Sequence, residues 1–404
     1  MSDWIKCSLC DIASYVTDRV NVLDLTIDTY ISTENLVADR GGMIPATKLP
    51  NVNVVPSYQQ NDILISNIRP YFKKIWLAHS MGGCSNDVLV IRANTTCDSK
   101  YLYYLLSTDD FFDYATKTSK GTKMPRGDKK AIMNYPVILP PLPIQKKIAA
   151  ILSSLDDKIE INTRMNKVLE EIARALFHRW FVEFEFPNDE GKPYKSSGGR
   201  MIESEMGEIP EGWIAIPISN LLIVNPKLML PKGEHASFVD MSSLPIDSCS
   251  VSEISSKEWN GGGSKFQNGD ILFARITPCL ENGKTAIVDF LIDDEIGFGS
   301  TEFIVLRGTG NIRTPFVYCL ARDSNFRKHC IASMVGSSGR QRVQNACFGN
   351  YFVARPSDEL LTKYYFICDV IFKYICVNSK ENSDLNNLRS ELLQRIMNCQ
   401  LKVA

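Results

Sequence analysis

The chain says nearly the same thing twice. Residues 28 to 70 align without a gap on residues 236 to 278, an offset of 208. Tyr30-Ile31-Ser32 falls on Phe238-Val239-Asp240, Asp62-Ile63-Leu64 on Asp270-Ile271-Leu272, and Pro70 on Pro278. The match resumes at offset 215, where Ser85 to Arg92 (SNDVLVIR) lies on Ser300 to Arg307 (STEFIVLR) and Tyr101-Leu102-Tyr103 on Phe316-Val317-Tyr318, and it closes at 216 with Tyr135 on Tyr351. Such a period is far above the roughly 20 to 50 residues of solenoids and propellers, so the repeated unit is a whole domain. With 404 residues, 44% of them apolar, the chain can build a core in each copy. Two similar domains predict two similar roles.

Within the first copy, short apolar β-branched stretches separated by turn residues predict strands at Val20 to Ile27, Ile63 to Ile68, Ile75 to Ala78, Val88 to Ile91 and Val137 to Leu139. Ser99 to Tyr114 and its counterpart Thr314 to His329 carry apolar residues at helical spacing. The fold class is therefore α+β, two similar mixed domains. Pro140-Pro141-Leu142-Pro143 ends the first, and a helical pattern follows. Ile148, Leu152, Leu155, Ile159, Asn162, Asn166, Leu169, Ala173, Leu176 and Trp180 alternate steps of four and three, a heptad seam in which two asparagines fix register. About 40 residues at 1.5 Å each make a helix of ~60 Å. Leu385, Leu388, Leu392, Ile396 and Cys399 repeat the seam near the C-terminus, after an interruption near Asn378 to Asp384. The two tracts are expected to pair antiparallel, holding the domains apart in a pseudo-two-fold arrangement. The expected plan is a first domain over 1–141, a central helix over 142–186, a polar, exposed linker over 187–212, a second domain over 213–355 and C-terminal helices over 356–404.

Chemistry is hard to find. Gly283-Lys284-Thr285 lacks the upstream glycine of a phosphate loop, and Gly297-Phe298-Gly299 lacks the acidic residue of a nucleotide fold, so both read as turns. Leu139-Pro140-Pro141-Leu142 lacks the polar and aromatic residues with which a methyltransferase grips a flipped base. His79, His178, His235 and His329 are scattered. Cys7-Ser-Leu-Cys10 is the only CxxC, and its partners in the second copy are Ile216 and Ser219, so it reads as small, mostly buried side chains. No catalytic residue, metal site or cofactor is expected. No apolar run of about 18 residues appears and the N-terminus lacks signal-peptide character, so a cytoplasmic protein without a membrane partner is expected.

What remains is a local binding signal. Thr116 to Lys130 (TKTSKGTKMPRGDKK) holds Lys117, Lys120, Lys123, Arg126, Lys129 and Lys130 against the single acid Asp128, with Thr122 as a shorter polar group. The equivalent glycine-rich stretch in the second copy offers Ser337, Ser338, Arg340, Gln341, Arg342 and Gln344. Such side chains suit phosphates and base edges. After Asp62 and Asp270, Arg69, Lys73 and Lys74 match Arg275 and Lys284 only loosely. A net charge of −1 gives no global attraction to nucleic acid, so the isolated chain is expected to bind DNA weakly and salt-sensitively.

Three features together resemble the specificity subunits of type I restriction-modification systems: the paired domains that each close on a glycine-rich basic loop and a proline, the tract from Leu142-Pro143-Ile144-Gln145-Lys146-Lys147-Ile148-Ala149 to Trp180-Phe181-Val182, and Ser204 to Trp213 (SEMGEIPEGW) opening the second domain. The resemblance implies a non-catalytic reader of double-stranded DNA, each domain reading half of a bipartite asymmetric site, with the helices setting the unread spacer. It also implies two modification subunits carrying S-adenosylmethionine, and restriction subunits using ATP and Mg. A rival expectation is a tandem-domain protein-interaction scaffold that reads no DNA; glutamate at Lys123 and Arg126 separates the two. The tract after Pro356 has no close copy of LPIQKKIA, so equivalent docking faces for the two modification subunits are not expected from sequence.

Overall fold

A computed structural model describes residues 4 to 397 except 293 and 338. The chain divides into two compact units, residues 1–159 with 384–404, and residues 160–383. In the first, β1 (Ile5–Ser8) and the single-turn helix α1 (Leu9–Ile12) lead to β2 (Ala13–Tyr15), β3 (Arg19–Asn21), β4 (Tyr30–Ile31), β5 (Val54–Tyr58), β6 (Ile63–Ser66), β7 (Ile75–Leu77), β8 (Gly82–Cys84) and β9 (Val88–Ala93). Helices α2 (Ser99–Leu106), α3 (Asp109–Lys117) and α4 (Lys129–Met133) follow, and β10 (Pro136–Leu139) returns antiparallel to β1. The other strands form two sheets, β2-β9-β6-β7 and β3-β5-β8-β4.

Strand β6 shows why both copies read as unbroken apolar runs. Its side chains alternate between two cores. Ile63 and Ile65 join Leu102, Leu105 and Phe111 of the helical layer, whereas Leu64 joins Tyr58 and Cys84 of the second sheet. The central sheet is covered on both faces, which removes the polar half of the usual antiparallel pattern.

After the helix α5 (Leu142–Phe181), the chain forms the hairpin β11 (Met201–Ser204) and β12 (Gly207–Pro210), then β13 (Ile214–Pro217), β14 (Leu222–Val224), β15 (His235–Val239), β16 (Ser255–Glu258), β17 (Ser264–Phe266), β18 (Ile271–Ala274), β19 (Thr285–Ile287), β20 (Gly297–Gly299) and β21 (Phe303–Gly308). Then come α6 (Thr314–Arg322), α7 (Ser324–Ala332), β22 (Phe352–Arg355) and α8 (Asp358–Met397). The order β14-β21-β18-β19 reproduces β2-β9-β6-β7. Tyr58 pairs with Gly82 in the first domain and Phe266 with Gly297 in the second, which is the sequence repeat restated as strand register. One difference lies at the sheet edge: β3 is added beside β5, whereas β16 is added beside β15, the counterpart of β4.

Six expectations need correction. Gly297-Phe298-Gly299, expected as a turn, is the buried strand β20, because it pairs with both β15 and β17. The single helix expected over Ser99 to Tyr114 is two, α2 and α3, because the Thr108 hydroxyl caps the second by accepting from Phe111 N; Asp323 divides α6 from α7 in the same manner. The strand expected at Val20 to Ile27 is the short β3 followed by a 3-10 turn, Val22–Asp24, because Asn21 caps that turn by accepting from Leu23 N. The stretch expected as a structureless linker over 187–212 contains β11 and β12 and buries Ile209; Phe186 stacks on Tyr194 and on Trp213, at centroid distances of 4.6 and 5.1 Å. Those aromatics supply the core that the polar composition hides. Cys10 is exposed rather than buried. Finally, α8 runs unbroken through 378 to 384.

That last correction has a polar cause inside the second unit. Asn162 on α5 donates through Nδ2 to Glu381 Oε2 (2.7 Å) and Asn382 Oδ1 (3.0 Å). Asn166 donates to Ser379 Oγ (3.1 Å), and Asn378 donates to Asn166 Oδ1 (2.8 Å). Partners fall along α8 as numbers rise along α5, so the helices are antiparallel here. The residues that look like an interruption are the seam. In the first unit, Ile148 and Leu152 share a core with Ile396, and Leu392 packs against it. Leu155, Ile159, Leu169, Leu176 and Leu385 are half-buried, but Leu388 is 44% exposed and leaves the expected seam; its neighbour Arg389 turns inward to pair with Asp156. The LPIQ tract fastens α5 to the first domain, since buried Gln145 accepts from Asp98 N (2.8 Å) and donates to Pro140 O (2.8 Å) and Thr96 O (3.1 Å). At the equivalent place in the second unit the hydroxyl of Tyr365, also on the helix, accepts from Arg313 N at 2.9 Å, so the fastening persists although the LPIQ sequence does not.

Candidate nucleic-acid interface

In the first domain, α3 ends at Lys117 and the chain folds into a small hairpin. Lys120 N donates to Arg126 O and Arg126 N to Lys120 O, both at 2.9 Å, around a tip of Gly121 to Pro125 in which Gly121 takes a φ of +97°. Asp128 then caps α4, accepting from Lys130 N and Ala131 N, and receives the Lys120 ammonium at 2.5 Å, which holds its carboxyl below the usual range. The hairpin is tied to the turn after β6: Arg69 N donates to Pro125 O (2.8 Å), Gly127 N to Asn67 O (3.0 Å) and Asn67 N to Asp87 O (2.8 Å). Arg126 reaches Asp87 at 3.2 Å.

The second domain repeats the hairpin and its ties to the turn and the acid, though not the Asp128 cap or its ion pair, since Val335 stands where the first domain has Lys120 and Gln344 makes no side-chain cap. Val335 and Arg342 exchange backbone bonds of 3.1 and 3.0 Å. Thr277 N donates to Gln341 O (3.0 Å), Val343 N to Arg275 O (2.9 Å) and Arg275 N to Glu302 O (3.0 Å). The Arg342 guanidinium embraces Glu302, with Nη2 at 2.6 Å, and its charge and hydrogen bonds hold the Glu302 carboxyl below the usual glutamate range.

The expected site residues divide accordingly. Lys117, Lys120, Thr122, Lys123, Arg126, Lys129 and Lys130 are exposed on or beside the first hairpin, and Ser337, Arg340 and Gln344 on or beside the second, with Gln341 and Arg342 half-buried. Ser338 lies outside the described residues. Lys73 pairs with Asp109 at 2.6 Å, and its bond together with the Arg40 guanidinium keeps that carboxyl low. Lys74 and Lys284 prove to be closely matched rather than loosely so: Lys74 Nζ donates to Thr33 O and Lys284 Nζ to Met241 O, each at 2.7 Å, and the acceptors are themselves repeat partners. Both ammonium groups tie down the loop after β4 or β15. Arg275 Nη2 donates to Val343 O at 2.8 Å, and Arg69 lies 6.0 Å from the Phe72 ring. A search for basic residues could not find Asp87 and Glu302, but their alignment within SNDVLVIR and STEFIVLR was a usable signal. Exposed Tyr71 and Phe72, in contact at 4.8 Å, were also missed.

Among the described residues, no group of His, Cys, Asp and Glu is arranged to hold a metal ion, and no helix is long and apolar enough to cross a membrane. The long helices carry exposed apolar side chains. In the second unit these are Ile161, Met165, Val168 and Ile172 on α5, and Phe366, Val370, Tyr374 and Val377 on α8, each set at helical spacing along one face.

Comparison with known proteins is consistent in kind. Residues 56–171, from β5 through the first hairpin and most of α5, match the type I restriction modification DNA specificity domain. The chain is 25% identical over 316 residues to the type I restriction enzyme MjaIX specificity subunit of Methanocaldococcus jannaschii, covering 76% of this chain and 69% of that protein. It is 32% identical over 176 residues to the EcoEI specificity subunit of Escherichia coli, covering 40% of this chain and 29% of that protein. The fold resembles that of the type I restriction-modification system S subunit from M. genitalium, with a TM-score of 0.57 at 14% identity over 100% of this chain and 97% of the other.

Proposed function

We infer, from the match of residues 56–171 to the type I restriction modification DNA specificity domain, that this chain is the DNA-recognition subunit of such a system and is itself non-catalytic. Each domain reads one half of a bipartite, asymmetric site in double-stranded DNA. The observation that carries this reading is the duplicated hairpin: one chain presents the same fastened, glycine-rich loop twice, and the two loop tips differ in sequence. A common scaffold with unlike tips is what two half-sites of different sequence require. The tip side chains Thr122, Lys123, Ser337, Arg340 and Gln341 are the proposed readers. Lys117, Lys129 and Lys130 provide phosphate contacts around the first tip.

Adenine methylation and cleavage then belong to partner subunits. Two modification subunits bring S-adenosylmethionine, and restriction subunits bring ATP and Mg. The exposed apolar faces of α5 and α8 are suited to the modification subunits, because a coiled-coil pair already satisfied along its seam has no internal use for Phe366 or Tyr374. The cytoplasm is the compartment in which such a complex meets DNA.

Genome-wide mapping of methylated adenine tests this directly. Cells holding the chain and its cognate modification subunit should show a bipartite methylated motif that disappears when this chain alone is deleted. An unchanged methylome would defeat the proposal.

A further inference from the structure

Three segments of different sequence offset meet at one point in each domain. The turn after β6 or β18 matches at offset 208, the acid before β9 or β21 at 215, and the hairpin arginine at 216. Chain has been inserted between these segments, seven residues before the acid and one before the arginine, yet the same bonds close in both copies. Asn67 N to Asp87 O has its counterpart in Arg275 N to Glu302 O, and Gly127 N to Asn67 O in Val343 N to Arg275 O. The bridges Ile68 with Arg126 and Ile276 with Arg342 are equivalent too. At the centre of each junction the arginine side chain meets the acid, Arg126 with Asp87 and Arg342 with Glu302.

By contrast, the tips have drifted. Gly121 to Pro125 reads GTKMP, and Gly336 to Gln341 reads GSSGRQ, one residue longer and without a side-chain match. The junction is the part held constant, and the tip is the part free to vary. We propose that Arg126 and Arg342 are positioning residues: each fastens its recognition hairpin to the domain through its acid partner and does not itself contact DNA. This rests on the DNA-reading function inferred above. The arginines are among the most basic groups of the two loops, and a charge count alone would rank them with Lys123 and Arg340 as contacts. The geometry separates them, since the Arg342 guanidinium directs Nε and Nη2 at one carboxylate and Nη1 at the Arg340 carbonyl. Arg342 thus commits Nε and Nη2 to the acid and Nη1 to the hairpin backbone, whereas Arg126, more exposed, meets Asp87 through Nη2 alone.

Exchanging the charges distinguishes fastening from contact. The assembled complex with its modification subunit would carry Arg342→Glu, Glu302→Arg, or both, and adenine methylation would be mapped alongside DNA affinity. If the pair is a fastener, each single change costs roughly tenfold in affinity, the scale of coupling between touching residues. The loss relaxes only the half-motif read by the second domain, and the double exchange returns affinity to within about threefold of wild type. Asp87→Arg with Arg126→Asp should act likewise on the other half. Glu302→Gln, which introduces no repulsion, guards against a misfolded single variant and should lie between wild type and Arg342→Glu. A double exchange no better than Arg342→Glu alone would overturn the proposal, because a DNA-contacting arginine cannot be replaced by glutamate. Single variants with wild-type affinity and motif would overturn it as well. Absence of any bipartite motif with the wild-type chain would instead defeat the function on which it rests.

Discussion

Asp62 and Asp270 occupy equivalent positions in the two domains and hold equivalent bonds. Each is buried and takes a bidentate arginine, Arg92 at 2.7 and 2.8 Å and Arg307 at 2.6 and 2.8 Å. Each also closes its own turn by accepting a backbone N–H, from Gln59 or Gln267, while the residue before it, Asn61 or Gly269, takes a left-handed φ of 71° or 90°. Removing the carboxylate leaves a partly buried guanidinium without its counter-ion. Asp270→Ala should therefore lower stability by about 3 kcal/mol, at the lower end of the range for a broken buried pair because Arg307 keeps some exposure; chemical denaturation measures it. The fastener in the second hairpin has a pH signature. Since the folded Glu302 carboxyl is held below its ordinary value by Arg342, its stabilising contribution is complete above the unfolded value of about 4.3 and is lost as pH falls through the depressed folded value. The difference in unfolding free energy between the wild-type chain and Glu302→Gln should stay constant from neutral pH down to about 5 and shrink below about 4, as urea titrations across that range measure.

The paired helices depend on polar seam residues as much as on leucines. Asn166 and Asn378 satisfy one another inside the second unit, and Asn378 is 8% exposed. Asn166→Leu adds apolar area at the seam but strands the Asn378 amide, so it should destabilise by about 1–3 kcal/mol rather than stabilise; a joint Asn166→Leu, Asn378→Leu change should recover most of the loss in the same urea titration. The exposed faces behave differently. Phe366→Asp with Tyr374→Asp touches no core residue, so the melting temperature of the chain should be unchanged while the modification subunit no longer co-purifies. Unaltered co-purification would move the docking face elsewhere.

Across the whole molecule the balance of 45 basic and 46 acidic side chains, excluding histidine, leaves recognition to local charge. Several of the basic groups near the hairpins are already engaged by internal partners, Lys73, Lys74, Lys284, Arg126 and Arg342 among them. The isolated chain should bind DNA weakly, with affinity falling steeply as salt rises from roughly 50 to 200 mM, and fluorescence anisotropy across that range checks it. Tight specific binding by the lone subunit at moderate salt would contradict that expectation. Much of this protein was written in its sequence: the duplicated domain, the α+β class, the long central helix and the basic, glycine-rich loops all follow from local pattern and from an internal repeat that acts as its own alignment. Periodicity failed where a single cap divided a helix at Thr108, where asparagines served as seam in α8, and where a few aromatics in and beside residues 187 to 212 folded that stretch. It also could not tell a lysine that faces solvent from one that ties a loop. Charge is a property of the residue, but whether that charge is free depends on which distant carboxylate or carbonyl the fold brings within about 3 Å, and only the tertiary structure decided that.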